Sequence, residues 1–216
     1  MTDELELLKK DWQKKTADLP TLSYEEIHKM IWKKSSSIVK WILIISILEF
    51  TLPQLLIFAP PMEEAMQIYD HIGVSNYLFA LSLLIYAVAL YFIFQFYQRF
   101  KEISVLDNSK NLMKKILRTR KTVKHYVLFS LSMIMVTIII MIIGVYLKQD
   151  ITEIVPELKD KLQDISPDKL KITLMLTIGI MGILLTLVMG CVYFLLYGLL
   201  LRKLNKNYAE LRQLEF

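Results

Sequence analysis

Residues 41–59 read WILIISILEFTLPQLLIFA, in which the only ionisable side chain is Glu49. A helix of about 20 mostly apolar residues is long enough to cross the hydrocarbon core of a bilayer. Helices suit that environment because they satisfy their own backbone hydrogen bonds. The apolar run begins at residue 38, so we predict that 38–59 spans a membrane with a carboxylate at its middle.

Three further apolar runs repeat this pattern, at residues 77–97, 126–147 and 172–201. The chain is 55% hydrophobic with a mean hydropathy of +0.43, which is more than an ordinary soluble domain carries. The first run begins too far from the N-terminus to be a secretory signal. We therefore predict an all-α integral membrane four-helix bundle, with amphipathic helices on its cytoplasmic and outer sides.

Lysine and arginine residues are distributed unevenly between the two sides of the predicted spans. Seven lie in residues 1–36, nine in 98–124 and four in 202–216, against none in 60–76 and five in 148–171. Loops rich in these residues stay in the cytoplasm. Both termini and the middle loop are therefore predicted to be cytoplasmic, in a multi-pass membrane protein.

The spans divide the chain into three parts: a cytoplasmic head (1–36), the bundle (37–201) and a cytoplasmic tail (202–216). In the head, Leu5, Leu8 and Trp12 recur at helical spacing. This stripe suits docking into a groove of a cytoplasmic protein, and it equally suits packing on the protein's own loop or on the bilayer surface. Ser23 and Glu26 form a capping box, which predicts a second helix that runs on into the first span.

The loop 98–124 and the tail both carry an apolar face within a basic surface. In the loop the face consists of Leu112, Ile116, Thr119 and Val123. In the tail it consists of Leu201, Leu204, Tyr208 and Leu211. The cations favour contact with an anionic inner leaflet, and topology accounts for them without a nucleic-acid partner. The tail is predicted to pair either with its own loop or with a second copy, which would give a homodimer.

Glu49 raises the question of what a carboxylate does inside hydrocarbon. Such groups usually face the bundle interior and find a partner. Tyr86, Thr137 and Thr186 lie at the same counted depth on the other spans, so we predict one buried polar layer with Glu49. Two interpretations stay open: a structural hydrogen bond that fixes helix packing, and a proton or cation site.

Small residues on the fourth span predict where a neighbouring helix approaches closely. Gly182, Thr186 and Gly190 follow one another at four-residue spacing, and Gly179 lies near that row. Such rows let two helix backbones pack in close contact within a membrane. The single cysteine, Cys191, is interpreted as a small packing residue of the same span.

Three segments carry a resemblance to a known family. They are ELELLKKDWQ (4–13), YEEIHKMIWKKSSSIVKW (24–41) and NLMKKILRTRKTVKHY (111–126). They resemble a family of uncharacterised bacterial four-span membrane proteins that is often labelled beta-carotene 15,15'-monooxygenase. That label implies an iron oxygenase with several histidines on one metal. Here the predicted topology separates His71 from His28 and His125 by a bilayer, so we predict no metal site and no cofactor.

Three functions remain in competition. The first is a non-enzymatic membrane regulator or scaffold whose head docks a cytoplasmic protein; its plan resembles that of membrane-bound anti-sigma regulators, without their zinc-binding motif. The second is a small proton-coupled transporter using Glu49, similar to the small multidrug resistance transporters but about twice as long. The third is an intramembrane enzyme, for which no nucleophile–base pair or metal set is visible in the sequence.

Overall fold

The computed structural model describes residue 6 and residues 23–56, 61–104, 107–148 and 166–214. Within these ranges the chain is helical apart from short connections. The helices are α1 (Tyr24–Leu56), α2 (Pro61–Ile72), α3 (Ser75–Ser104), α4 (Ser109–Leu147), α5 (Pro167–Tyr193) and α6 (Leu199–Leu214), and a π-helical turn, Phe194–Gly198, joins α5 to α6.

Four of the continuous helices are long and apolar enough to cross a membrane. They are α1, α3, α4 and the unbroken run from α5 into α6. The predicted all-α class and the predicted number of spans are confirmed, and the chain has the character of a multi-pass membrane protein. Each of these helices exceeds the roughly 20 residues that a bilayer requires, so each one continues beyond the hydrocarbon.

The first long helix begins where the sequence predicts. The Ser23 backbone N–H donates to the Glu26 carboxylate at 2.8 Å, and the Glu26 backbone N–H donates to the Ser23 hydroxyl at 3.3 Å. These two bonds satisfy backbone donors that the first helical turn leaves free. The helix then continues without interruption to Leu56, so the predicted capping box and the predicted continuation into the first span are both confirmed.

The helices pack mainly as sequence neighbours. α1 lies against α3, α3 against α4, and α4 against α5, while α6 returns to pack on α1 and α4. The start of α1, the end of α3, the start of α4 and α6 therefore meet at one end, which we call the basic end. Hydrogen bonds join them there: Tyr24 to Ser109 (2.7 Å), Trp32 to the Ile103 carbonyl (2.7 Å), Asn207 to Ser35 (2.9 Å) and Arg120 to Asn205 (2.8 Å).

The larger hydrophobic core is concentrated toward the basic end rather than in the middle of the spans. On α4, the predicted apolar face is buried, with Ile116, Thr119 and Val123 fully covered. On α6, Leu204 and Leu211 are also fully covered. The tail therefore packs on helices of its own chain, and its main neighbour is α1 rather than the loop that the sequence suggested.

Most of the apolar surface of the spans is not covered by protein. In the most apolar stretch of each spanning helix, between 0% and 17% of residues are buried inside the protein. Exposed leucines, isoleucines and phenylalanines cover α3 and α5. Lipid tails would solvate these side chains, since hydrocarbon is as apolar as leucine.

A second, smaller core closes the opposite end. Gly73 adopts a φ of 81°, which favours glycine, and it ends α2. The turn brings Ile72 and Val74 onto α4, where Val145 is fully buried beside them. The outer amphipathic stretch predicted at 154–165 lies outside the described residues.

Candidate functional site

Glu49 lies on α1 at the place where this helix meets the π-helical turn after α5. The Tyr193 hydroxyl donates a hydrogen bond to Oε1 of Glu49, and the Tyr197 hydroxyl donates to Oε2 at 2.9 Å. Both carboxylate oxygens are thus satisfied by phenols from one segment. The tyrosines are four residues apart, so they lie on the same helix face, Tyr193 at the end of α5 and Tyr197 in the π-helical turn.

Aromatic side chains from two further helices surround these phenols. Tyr126 of α4 packs edge-on against Tyr193 and Tyr197, with ring centres 6.5 and 5.8 Å apart. Phe92 and Phe96 of α3 pack edge-on against Tyr126 in turn, at 5.4 and 5.6 Å. Offset and edge-to-face rings attract each other beyond their burial alone. The cluster therefore joins the Glu49 contact to every spanning helix.

The predicted partners of Glu49 were wrong. Thr137 bonds to the Met133 carbonyl, and Thr186 bonds to the Gly182 carbonyl, each one turn back on its own helix. Tyr86 packs edge-on against Phe50, the residue after Glu49. The hydroxyls of Thr137, Thr186 and Tyr86 thus form no bond to the carboxylate in the structure.

The physical reason for this error is the length of the fourth span. Its apolar run of 30 residues is far longer than the roughly 20 that cross a bilayer, so its midpoint does not mark the depth of Glu49. The partners lie seven and eleven residues after Thr186 instead. Tyr197 lies only five residues before Arg202, about 7 Å along the helix axis, and is therefore near the end of the apolar run rather than at its midpoint. The heptad spacing from Thr186 to Tyr193, followed by Tyr197 four residues later, is the sequence signal that could have identified these partners.

The predicted glycine row on α5 divides into two parts. A side-chain carbon at Gly182 would lie 2.6–2.8 Å from three carbons of Ile138 on α4, so the helices meet closely there. Gly179 faces Ile142 at an ordinary 3.8 Å, and Thr186 approaches the Met135 sulfur at 3.5 Å. Gly190 has open space around it. Gly144 on α4 also makes a close contact, since it packs directly under Val74.

The remaining functional predictions concern the head stripe, metal binding and Cys191. Leu5, Leu8 and Trp12 of the head stripe lie outside the described residues. Across the part of the chain that the structure describes, no group of three or more histidine, cysteine or acidic side chains could hold a metal ion. Cys191 is exposed on α5.

The chemistry available to Glu49 follows from its contacts. A carboxylate that accepts hydrogen bonds from two hydroxyls needs no cation to satisfy it. No ion pair involving Glu49 is formed among the described residues. The arrangement ties α1 to the π-helical turn across the bundle. It also presents a protonatable group beside three tyrosines.

Comparison with known proteins gives a family but no activity. No curated protein matches the chain, and no solved structure matches it either. Residues 25–216, which include all six helices except the first residue of α1, match one family profile. The chain belongs to the family described as a domain of unknown function, DUF8845.

Proposed function

We propose that the protein is a non-enzymatic regulator or scaffold of a bacterial inner membrane, with both termini in the cytoplasm. In this proposal the stripe of Leu5, Leu8 and Trp12 docks a cytoplasmic protein. The observation that carries the proposal is the helical platform at the basic end. There the long helices continue past the length needed for the bilayer and enclose the larger core.

The platform would present the head from a fixed point. Tyr24, at the first turn of α1, bonds to Ser109 at the start of α4. Trp32 is held by the Ile103 carbonyl one helix away. A head attached to a rigid base loses less entropy on binding than one attached to a mobile chain.

A cationic groove between α1 and α6 supports a partner of acidic character. Its volume is about 600 Å³, and among the described residues that line it are Lys33, Lys34, Lys203, Lys206 and one acidic side chain, Glu210. Complementary charge raises association rates and suppresses wrong partners. The groove lies at the basic end, against the first turns of α1.

The test uses the intact protein, crosslinked in its native membrane and purified in mild detergent. The triple variant Leu5→Ala, Leu8→Ala and Trp12→Ala removes the stripe. The matched control Lys9→Ala, Lys10→Ala and Lys14→Ala changes the same stretch of chain. We expect one stoichiometric cytoplasmic protein with wild type and control, and its loss from the triple variant. The same set of crosslinked proteins from all three would refute the proposal.

A second candidate, a small proton-coupled transporter, is favoured by Glu49 itself. An ionisable residue inside a spanning helix is a functional candidate by default, and proton relays use such carboxylates. Proton uptake driven by a cationic substrate in reconstituted vesicles tests this candidate. Transport requires that Glu49→Gln abolish uptake while Tyr193→Phe retains part of it. Equal uptake by Glu49→Gln and wild type eliminates transport through Glu49.

The membrane oxygenase implied by the carotene label remains the least supported proposal. His28 and His125 belong to the basic end, whereas His71 lies on α2 at the opposite end. The three histidines therefore do not converge on one site. Metal analysis of the purified protein would test the label, and stoichiometric iron would revive it.

A further inference from the structure

A groove between α3 and α4 lies where these helices leave the apolar part of the chain. Its volume is about 370 Å³. The polar side chains that line it come at helical spacing from both walls: Tyr91, Gln95 and Arg99 from α3, and Arg118, Lys121 and His125 from α4. Two facing rows of this kind form a site whose width is fixed by the packing of α3 on α4.

The α3 wall is held in place by its own hydrogen bonds. Gln95 donates to the Tyr91 hydroxyl at 2.8 Å, and Arg99 donates to the Gln95 side-chain oxygen at 3.3 Å. Arg99 also binds both oxygens of Glu102, at 3.1 and 3.0 Å. Its Nε is buried, however, and has no partner among the described residues. Arg99 is therefore held in place while some of its N–H donors stay unused.

The α4 wall carries positive charge without compensation. Neither Arg118 nor Lys121 forms an ion pair within the described ranges. Glu102 neutralises Arg99. Arg118 and Lys121 thus face Arg99 across the groove without ion-pair partners of their own. This arrangement attracts an anion, and the planar guanidinium group of arginine suits the oxygens of a phosphate.

The position of the groove selects the source of that anion. Tyr91 and Phe92 form its membrane side, and tyrosine is common at membrane–water interfaces. The apolar run of α4 begins one residue after His125. A ligand in this groove would keep its anionic group beside Arg118 and Lys121 while any hydrocarbon attached to it stays in the bilayer.

We propose that the groove between α3 and α4 binds the phosphodiester of an anionic phospholipid. Arg99, Arg118 and Lys121 hold the phosphate oxygens, and Tyr91 packs on the first carbons of the acyl chains. The binding orients the bundle at the membrane surface and is independent of whether the head docks a protein partner.

The experiment measures lipid binding by the full-length protein in nanodiscs. One set contains phosphatidylcholine alone, and the other contains equal parts of phosphatidylcholine and phosphatidylglycerol. Native mass spectrometry counts retained lipids for wild type, for Arg118→Gln with Lys121→Gln, and for the control Lys110→Gln with Lys114→Gln. The control pair is exposed on the same helix and does not line the groove.

We expect the groove variant to bind phosphatidylglycerol roughly 30-fold more weakly than wild type, since each substitution removes one charge-assisted hydrogen bond to the phosphate, worth about fivefold in affinity. The control should stay close to wild type. Equal loss in both variants would assign the attraction to net charge alone. Loss in neither would show that Arg118 and Lys121 do not hold the lipid. Either result overturns the proposal.

A separate arm distinguishes a lipid from a soluble ligand. Inorganic phosphate is added to the protein in phosphatidylcholine nanodiscs, and thermal unfolding is followed. We expect no stabilisation at concentrations where phosphatidylglycerol stabilises. Stabilisation by phosphate that the groove variant loses would overturn the lipid assignment in favour of a soluble phosphate compound.

Discussion

The Glu49 carboxylate accepts hydrogen bonds from two tyrosine hydroxyls in a helix segment more than 140 residues later in the chain. Hydrogen bonds between membrane helices contribute about 0.6 kcal/mol on average and rarely above ~1.7. Removing one partner costs more, because the other polar groups are then left unsatisfied in an apolar setting. The protein should therefore lose more stability when Glu49 is shortened to alanine than when it is replaced by the isosteric glutamine.

Glu49→Ala should destabilise the protein by about 2 kcal/mol, because it leaves the Tyr193 and Tyr197 hydroxyls without an acceptor. Glu49→Gln should cost about 1 kcal/mol or less, since its amide oxygen still accepts one bond. Thermal unfolding in detergent measures both.

Tyr197→Phe combined with Glu49→Ala provides the control for this contact. The double variant should lose less stability than the sum of the two single changes, because both remove the same hydrogen bond. Full additivity, or an Ala variant as stable as wild type, would show that the contact contributes nothing to stability.

Asp107, in the connection between α3 and α4, gives the protein a pH-dependent contact outside the spans. Its carboxylate accepts bonds from Asn111, Lys115 and the Asn108 backbone N–H, at 3.1, 3.0 and 2.8 Å. These bonds lower its pKa from 3.8 to about 2, with the Asn111 bond as the largest cause. A lowered folded-state pKa stabilises the protein above the unfolded-state value and loses that effect in acid.

The melting temperature of wild type should therefore exceed that of Asp107→Asn by a constant amount above about pH 5. The difference should shrink as the pH falls from about 4 towards 2, because protonation removes the carboxylate that the variant lacks. Parallel melting curves across this acid range would contradict the assignment. A detergent without titratable groups ensures that the pH dependence of the melting temperature comes from the protein.

At the scale of elements, α4 and α5 approach each other closely at one glycine of the predicted row, Gly182. The side chain of Ile138 fills the space in front of Gly182, whereas nothing lies within 4 Å of a side chain placed at Gly190. The sequence showed the same small-residue row for both positions. Which of them faces a neighbour depends on helix rotation, and no single-chain pattern fixes that rotation.

Gly182→Ala should destabilise the protein by about 1–3 kcal/mol, because Ile138 and the helix behind it must move away. Gly190→Ala should be neutral or stabilising by up to about 1 kcal/mol, since alanine is the better helix former. Unfolding of the two variants under identical detergent conditions compares a close contact with an open one on the same helix. Equal effects would mean that α4 and α5 do not meet at Gly182.

The sequence predicted individual helices much better than their lateral contacts. Bilayer thickness and backbone hydrogen bonding dictate the spans, so apolar runs suffice to find them. The faces of α4 and α6 were also predictable, because Ile116 and Leu204 belong to regular helical stripes in a polar sequence. Inside the spans nearly every side chain is apolar. Periodicity is lost there, and the partner of Glu49 depended on a depth count that the long fourth span made unreliable.

At the scale of the whole molecule, burial differs between the basic end, where apolar side chains are covered by protein, and the spans, where most of them are exposed. Toward the basic end, residues such as Phe96 and Ile103 are fully covered by protein, as expected where water drives burial. In the spans the hydrophobic effect gives no reason to bury leucine, so close glycine contacts and the Glu49 hydrogen bonds hold the helices together. The shift from one regime to the other along the same helices explains why the core lies toward one end.

This division requires the basic end and α2 to lie on opposite sides of the membrane, which labelling can measure. With Cys191 replaced by serine, single cysteines are introduced at Lys110 on α4 and at Gln67 on α2, both exposed. Because cation-rich segments stay in the cytoplasm, a membrane-impermeant maleimide should label Gln67→Cys in intact cells and Lys110→Cys only after lysis. The reverse order would invert the orientation and place the platform outside the cell. Labelling of both positions in intact cells would contradict the four-span arrangement, because one spanning helix, α3, lies between these two sites.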